Sequence, residues 1–341
     1  MLNSVYQLKK PRQFELVYKD ITLDNEHVIV RPTHLSICNA DQRYYQGNRP
    51  EEILNKKLPM ALIHEAIGQV IYDPTGSFEI GDRVVMIPNL PTEEDPVIAE
   101  NYLRSSRFRA SGTDGFLQEY VVSVPDRLVK LPEGINLTVA AFTELVSVSY
   151  HAIGRFFETA HERREEIAVW GDGNLGYITA LLIKTMHPEI KLYVMGVNEA
   201  KLNDFTFADD TYLVNQIPED FGIDHAFECV GGNAAPKAIN QIIDYIRPEG
   251  TIGILGVTED LAPINTRMVL EKGLRIIGSS RSGRKDFQGL VDLYRSKPQV
   301  VDYLENIVGE QIVIREIRDI SRAFEKDIHK LIGKTIMVWD K

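Results

Sequence analysis

Cysteine is scarce in this chain. Two occur in 341 residues, Cys38 and Cys229, far apart in sequence. That count excludes a disulfide framework and a four-cysteine structural metal lobe. Long hydrophobic runs are missing too: no stretch approaches the ~18 uncharged apolar residues that a membrane helix needs. Positive charge is in the minority, with 38 Lys and Arg against 49 Asp and Glu and a net charge of −11. A polyanion such as nucleic acid is therefore not an expected main partner. A small anionic substrate remains compatible, because a local cluster of arginines can hold it against the overall field. The first residues, MLNSVYQLKKPRQ, carry no hydrophobic signal core. With the low cysteine usage, this leads to an expected cytoplasmic location.

What remains is ordinary globular material, 44% hydrophobic and 26% charged. At roughly 150 residues per domain, about two domains are expected. The first part reads as β-rich: EHVIVRPTHLSIC, AIGQVIYD, GDRVVMIP, FLQEYVVSV and DRLVKLP are short runs between Gly, Pro and Asp punctuation. An acidic loop, PNLPTEEDPVIAEN, precedes a basic one, YLRSSRFRASGTDG. No helix-period segment of length is expected before about residue 136. From there LTVAAFTELVSVSYHAIGRFFETA has helical spacing. Strand and helix patterns then alternate through EIAVWG, NLGYITALLIKTM, KLYVMG, DHAFECVG, AAPKAINQIIDYI, GTIGILGV and GLRIIGSS. Such alternation predicts a parallel sheet with helices on both faces, an α/β architecture. The tail holds two helical segments, FQGLVDLYRS and DISRAFEKDI, and a last strand, KTIMVWD.

The sharpest motif is Gly171-x-Gly173-x-x-Gly176, directly after a predicted strand and opening a predicted helix. In that setting it reads as a dinucleotide fingerprint: a tight turn at Gly171, close approach of pyrophosphate at Gly173, and helix–strand packing at Gly176. The helix start, with Asn174 and Leu175, supplies backbone N–H groups for the phosphates. The next strand ends in Gly196, Val197 and Asn198, without the terminal acid that an NAD site uses on the ribose. Asn198 and Lys201 are then candidates for a 2′-phosphate, which favours NADPH. Glu199 argues the other way, and Lys201 is equally readable as a solvated helix residue.

In LPMALIHEAIGQV, His64 and Glu65 stand side by side within an apolar run. A catalytic zinc takes three protein ligands of N, S and O type and keeps an open position. Cys38 is the one cysteine in the β-rich part, so a second thiolate is unavailable there and a carboxylate must serve. Glu144, at the start of an apolar helical run, is the candidate. Each residue alone has a plainer reading: Cys38 as a small buried hydrophobe, His64 as a core histidine, Glu65 as a solvated acid, Glu144 as a helix-dipole partner.

The segments SICNAD, HEAIGQV, FEIGDRVVMIP, GTDGFLQEYV, ELVSVSYHA, GDGNLG and DHAFECVGG resemble the zinc-dependent medium-chain dehydrogenases along nearly the whole chain. The pattern of ligands is most similar to the polyol dehydrogenase branch. YQLKKPRQFE, TELVSVSYHAI, WGDGNLGYITA and IIGSSRSGRKDFQ look like its bacterial ribulose-5-phosphate reductases. The resemblance implies a GroES-like catalytic domain from residues 1–145 and 282–341, and a Rossmann domain from residues 146–281. It implies one zinc on Cys38, His64, Glu65 and Glu144, no structural zinc, and NADPH as reductant of D-ribulose 5-phosphate. Asp41 is a candidate to orient His64 or a cationic neighbour, and is almost equally readable as a surface turn acid. Arg281 and Arg284 are the first candidates for the substrate phosphate, with Arg43, Tyr45, Arg104, Arg107 and Arg109 behind them. A homodimer through GTIGILGV and GLRIIGSS, and functional coupling to a ribitol-5-phosphate cytidylyltransferase, are further implications. Three departures stand out: Ile63 where the family usually has Gly, Ala40 where many members carry a hydroxyl, and Leu145 where proline is usual. Water or Glu65 then takes over the proton path. The alternatives are a dehydrogenase of unphosphorylated sugar alcohols, a metal-free quinone or enoyl reductase, and a non-catalytic dinucleotide-binding regulator.

Overall fold

The computed structural model describes residues 1–330 and 333–340. The chain forms two compact units, Met1–Leu145 with Ser282–Lys341, and Val146–Arg281.

The first unit is built on a seven-stranded sheet. Its order is Leu128–Lys130, Arg83–Met86, Glu65–Tyr72, Val28–Ser36, Lys334–Trp339 and Val308–Ile314, with Val121–Ser123 also pairing to Val28–Ser36. Most pairings are antiparallel. Val308–Ile314 and Lys334–Trp339 run parallel, and the helix Ile317–Ile328 makes the crossover that a parallel pair requires. A three-stranded sheet, Gln13–Asp20, Leu2–Lys10 and Met60–Ala61, closes over a shared apolar core that includes Val5, Leu35, Ile37, Phe116, Phe324 and Met337.

Register positions the site. Ser36 pairs with Glu65, and Ile336 pairs with Ser36. Residues just past Ser36, just before Glu65 and at the start of Lys334–Trp339 therefore gather at one end of three neighbouring strands.

Two helices precede residue 136, Asn39–Gln46 and Glu51–Lys57, where none of length was expected. The first buries Asp41, Gln42, Tyr44 and Tyr45, so its inward face is polar and aromatic and leaves no aliphatic periodicity. The second buries nothing. The long helical stretch after residue 136 is two helices, Leu137–Ala140 and Thr143–Thr159.

The second unit is a six-stranded, wholly parallel sheet. Its order is Asp210–Leu213, Lys191–Gly196, Glu166–Trp170, His225–Glu228, Thr251–Ile254 and Arg275–Gly278. In chain order this is 3-2-1-4-5-6, the doubly wound arrangement whose strand order reverses beside its first strand. Helices Asn174–Met186 and Ala235–Tyr245 cover it with apolar faces.

Candidate active site

Cys38 sits two residues beyond Val28–Ser36 and is the N-cap of Asn39–Gln46. His64 and Glu65 meet it from the adjacent strand. Their candidate ligand atoms all lie within 4.8 Å of one another, with His64 and Glu65 buried. Asp41 organises this corner. Its carboxylate accepts from the backbone N–H of Cys38 at 3.2 Å and of Ile63 at 2.9 Å, and lies 3.5 Å from Nδ1 of His64. That contact occupies Nδ1 and leaves Nε2 as the donor atom for a metal.

Ile63 has φ of 71°, a left-handed conformation that a β-branched residue rarely takes. Such strain costs about 1–3 kcal/mol and persists only where the surroundings over-determine it. Here Asp41 holds the N–H of Ile63, and its carbonyl accepts from Phe116 N at 2.7 Å. The turn sends His64 and Glu65 into the cluster.

Sequence reading missed Lys334. Its buried Nζ donates to Glu65 Oε1 at 2.9 Å and to the Ile37 carbonyl at 3.0 Å. Burial opposes the lysine charge, but Glu65 and Cys38 hold its pKa above the ordinary value. Glu65 is thus fully buried and ion-paired rather than solvated. The signal available was a lysine heading an otherwise apolar strand.

Glu144 lies outside the three-residue group but is buried nearby. Burial pushes its pKa up to about 7, the charges of Glu65 and Asp41 add to that, and His64 and Lys334 pull the other way. Burial also works against a charge on His64, yet Asp41 and Cys38 raise its pKa well above the ordinary value. Cys38, Asp41, Glu65 and Glu144 thus crowd around His64 and one fixed cation, Lys334. That excess of acidic groups, together with the thiol–imidazole–carboxylate donor set, fits a bound divalent cation.

In the second unit Gly171 has φ of 130°, and a Cβ there would meet the Cys229 backbone at 3.0 Å. A Cβ on Gly176 would fall 1.9 Å from the Gly171 carbonyl oxygen, so helix and strand pack through bare backbone. A Cβ on Gly173 would meet nothing within 4 Å, and no side chain caps the helix Asn174–Met186 that follows it. Its first-turn N–H groups therefore suit a phosphate. Asn198 caps the short helix Glu199–Leu202 by accepting from Lys201 N at 3.2 Å. Asp172, which drew no attention in sequence, accepts from Val197 N at 2.7 Å and Asn198 N at 2.8 Å. Buried Glu228 accepts from the N–H groups of Val230, Gly231 and Gly256 and fixes two further loops at the strand ends.

Comparison with known proteins agrees with this geometry. Residues 24–133 match the alcohol dehydrogenase GroES-like domain, and residues 195–296 match the zinc-binding dehydrogenase family. The ribulose-5-phosphate reductase of Bacillus spizizenii is 55% identical over 340 residues, covering 100% of both chains. The chain belongs to the zinc-binding dehydrogenases. The ribulose-5-phosphate reductase of Streptococcus pneumoniae is 47% identical over 342 residues, 100% of this chain and 98% of its own. A crystal structure of S. aureus TarJ in complex with NADPH superposes with a TM-score of 0.90 at 48% identity, covering 100% of each chain.

The arginines of this dehydrogenase are placed unevenly. Arg284 is committed within its own unit: its guanidinium bonds the carbonyls of Asp126 and Leu128 and lies 3.1 Å from the Asp126 carboxylate. It holds a loop, which takes it out of the leading position for a substrate phosphate. Arg281 is exposed at the end of the second unit, with φ of 58°. Arg43 lies on the Cys38 helix, half-buried and one turn from the cluster. Tyr45 is fully engaged, its hydroxyl bonding Glu325 at 2.8 Å.

Proposed function

We propose that this dehydrogenase reduces D-ribulose 5-phosphate to D-ribitol 5-phosphate with NADPH, for CDP-ribitol and ribitol-containing wall or capsule polymers. The full-length 55% identity to a ribulose-5-phosphate reductase carries this reading, and the buried cluster supplies its chemistry. Cys38, His64, Glu65 and Glu144 would hold one zinc, with Glu65 beside Lys334. When bound, zinc supplies Lewis acidity toward the C2 carbonyl and NADPH supplies the hydride. The chain's own residues do the positioning. Asp41 fixes the His64 ring, Lys334 fixes the Glu65 carboxylate, and the Ile63 turn aims both side chains.

Gly171, Gly173 and Gly176, with the N–H groups of Asn174 and Leu175, would receive the NADPH pyrophosphate. Asn198 and Lys201 would face the 2′-phosphate, on a turn that Asp172 holds. Asp172→Ala removes two charge-assisted hydrogen bonds from that turn. The KM for NADPH is expected to rise about tenfold with kcat within about twofold; steady-state kinetics with varied NADPH checks this, and an unchanged KM counts against it. Arg43 is the proposed contact for the substrate phosphate, and Arg281 is a separate candidate.

A homodimer is proposed through the edge strand Arg275–Gly278, which leaves Ile276 38% exposed, with Leu270 nearby at 79%. Among the described residues no helix is long and apolar enough to cross a membrane. A cytoplasmic location and functional coupling to a ribitol-5-phosphate cytidylyltransferase belong to the same proposal.

The test is NADPH oxidation by purified protein with D-ribulose 5-phosphate and with D-ribulose. Turnover of the phosphorylated ketose at least about 100-fold more efficient is expected, since charge-assisted phosphate contacts contribute a few kcal/mol. Equal efficiency would instead favour an enzyme of unphosphorylated polyols.

A further inference from the structure

The basic loop contains a feature that the reductase chemistry leaves unused. Its strand Arg107–Phe108 pairs with Asn89–Leu90. Phe108 packs toward the catalytic cluster, its ring centroid 5.5 Å from that of His64. Arg107 and Arg109, on either side of it in sequence, instead line a cavity of about 320 Å³ within the first unit, with His27, Ser123, Asp126 and Arg127 around it. None of the four cluster residues lines that cavity.

The charges around the cavity are unequally balanced. Arg127 is neutralised by Glu100 at 2.7 Å and by Asp126, and His27 pairs with Asp24 at 2.7 Å. Asp126 is shared between Arg127 and Arg284. Arg109 has no carboxylate in ion-pairing range among the described residues; its guanidinium donates to the Val122 carbonyl at 2.8 Å and lies over the Phe116 ring. Burial brings its pKa down to about 10; the charge of Asp114 works against that, and a smaller repulsion from Arg107 adds to it. Arg107 is exposed, and its side chain has neither a hydrogen bond nor an ion pair among the described residues. Two guanidinium-bearing residues thus line one cavity, and Arg107 brings no carboxylate partner to it among the described residues. Planar guanidinium groups bind phosphate oxygens in pairs. The volume lies at the lower end of the range for small-molecule sites.

We propose that this cavity is a binding site for a small phosphate-bearing anion, separate from the zinc cluster and read by Arg107 and Arg109. Isothermal titration of the full chain with inorganic pyrophosphate tests it. The titration is repeated with NADP⁺ and D-ribulose 5-phosphate both saturating, a pair that cannot react. With NADP⁺ and D-ribulose 5-phosphate saturating, one equivalent is expected to bind; any further equivalent taken up by the unliganded chain belongs to the cofactor's pyrophosphate turn. Arg107→Gln is expected to weaken binding at least about tenfold, and Arg107→Lys to retain most of it. Absence of binding, loss of binding when the catalytic site is filled, or an unchanged affinity in Arg107→Gln would overturn the proposal. Because Arg107 is exposed, its melting temperature is expected to stay at the wild-type value, which separates a lost site from a lost fold.

Discussion

Cys38→Ser is expected to lower NADPH-dependent reduction of D-ribulose 5-phosphate by about 10³-fold or more. A Lewis acid at a carbonyl contributes several kcal/mol to the barrier, and each 1.36 kcal/mol is about a factor of ten in rate. Serine is nearly the size of cysteine but does not ionise to a soft ligand, so zinc affinity falls while the helix cap survives. Cys38 caps through its backbone: its carbonyl accepts from Gln42 N at 3.1 Å, and its N–H donates to the Asp41 carboxylate. The loss should therefore appear in kcat with little change in melting temperature. Stripping zinc from the wild type with a chelator should reproduce it, and adding zinc back should restore the wild type but not the variant. Turnover of Cys38→Ser within about tenfold of wild type contradicts this account.

Lys334→Met is expected to destabilise the metal-free first unit by about 3–5 kcal/mol, the usual consequence of leaving one member of a buried ion pair alone. Glu65 is fully buried and Lys334 nearly so, at 2.8–2.9 Å, and the lysine also serves the Ile37 carbonyl. Methionine matches the stem but offers no donor. Urea unfolding of the metal-free chain measures the effect. Adding Glu65→Gln to Lys334→Met should recover a substantial part of the loss, because the stranded charge is gone; neighbouring groups of this kind are strongly non-additive. A loss below about 1 kcal/mol would mean that water already reaches this pair.

How far the sequence discloses these features depends on how local their causes are. The glycine fingerprint, the parallel strand–helix alternation and the tail helices are set by neighbours within a few residues, and they read directly. Cys38, His64 and Glu65 could be singled out because of residue type and an apolar setting, although their meeting depends on the Ser36–Glu65 register. The helix Asn39–Gln46 was hidden because its buried face is built from Asp, Gln and Tyr. Lys334 was hidden because its partner is 269 residues away. Arg284 looked available in sequence, but the carbonyls that engage it lie 158 and 156 residues away. The positive φ at Ile63 had one signal, the glycine usual at that position in the family; residue type argues against it, and the Asp41 and Phe116 contacts that hold it are tertiary.

Zinc content per chain, by plasma mass spectrometry on purified wild type, Cys38→Ser and Glu144→Gln, tests the central claim most directly. About one zinc per chain is expected in the wild type, with less than about a tenth of that in Cys38→Ser and a marked reduction in Glu144→Gln. A wild type without zinc, or variants that retain a full equivalent, would contradict the assignment of these side chains as its ligands.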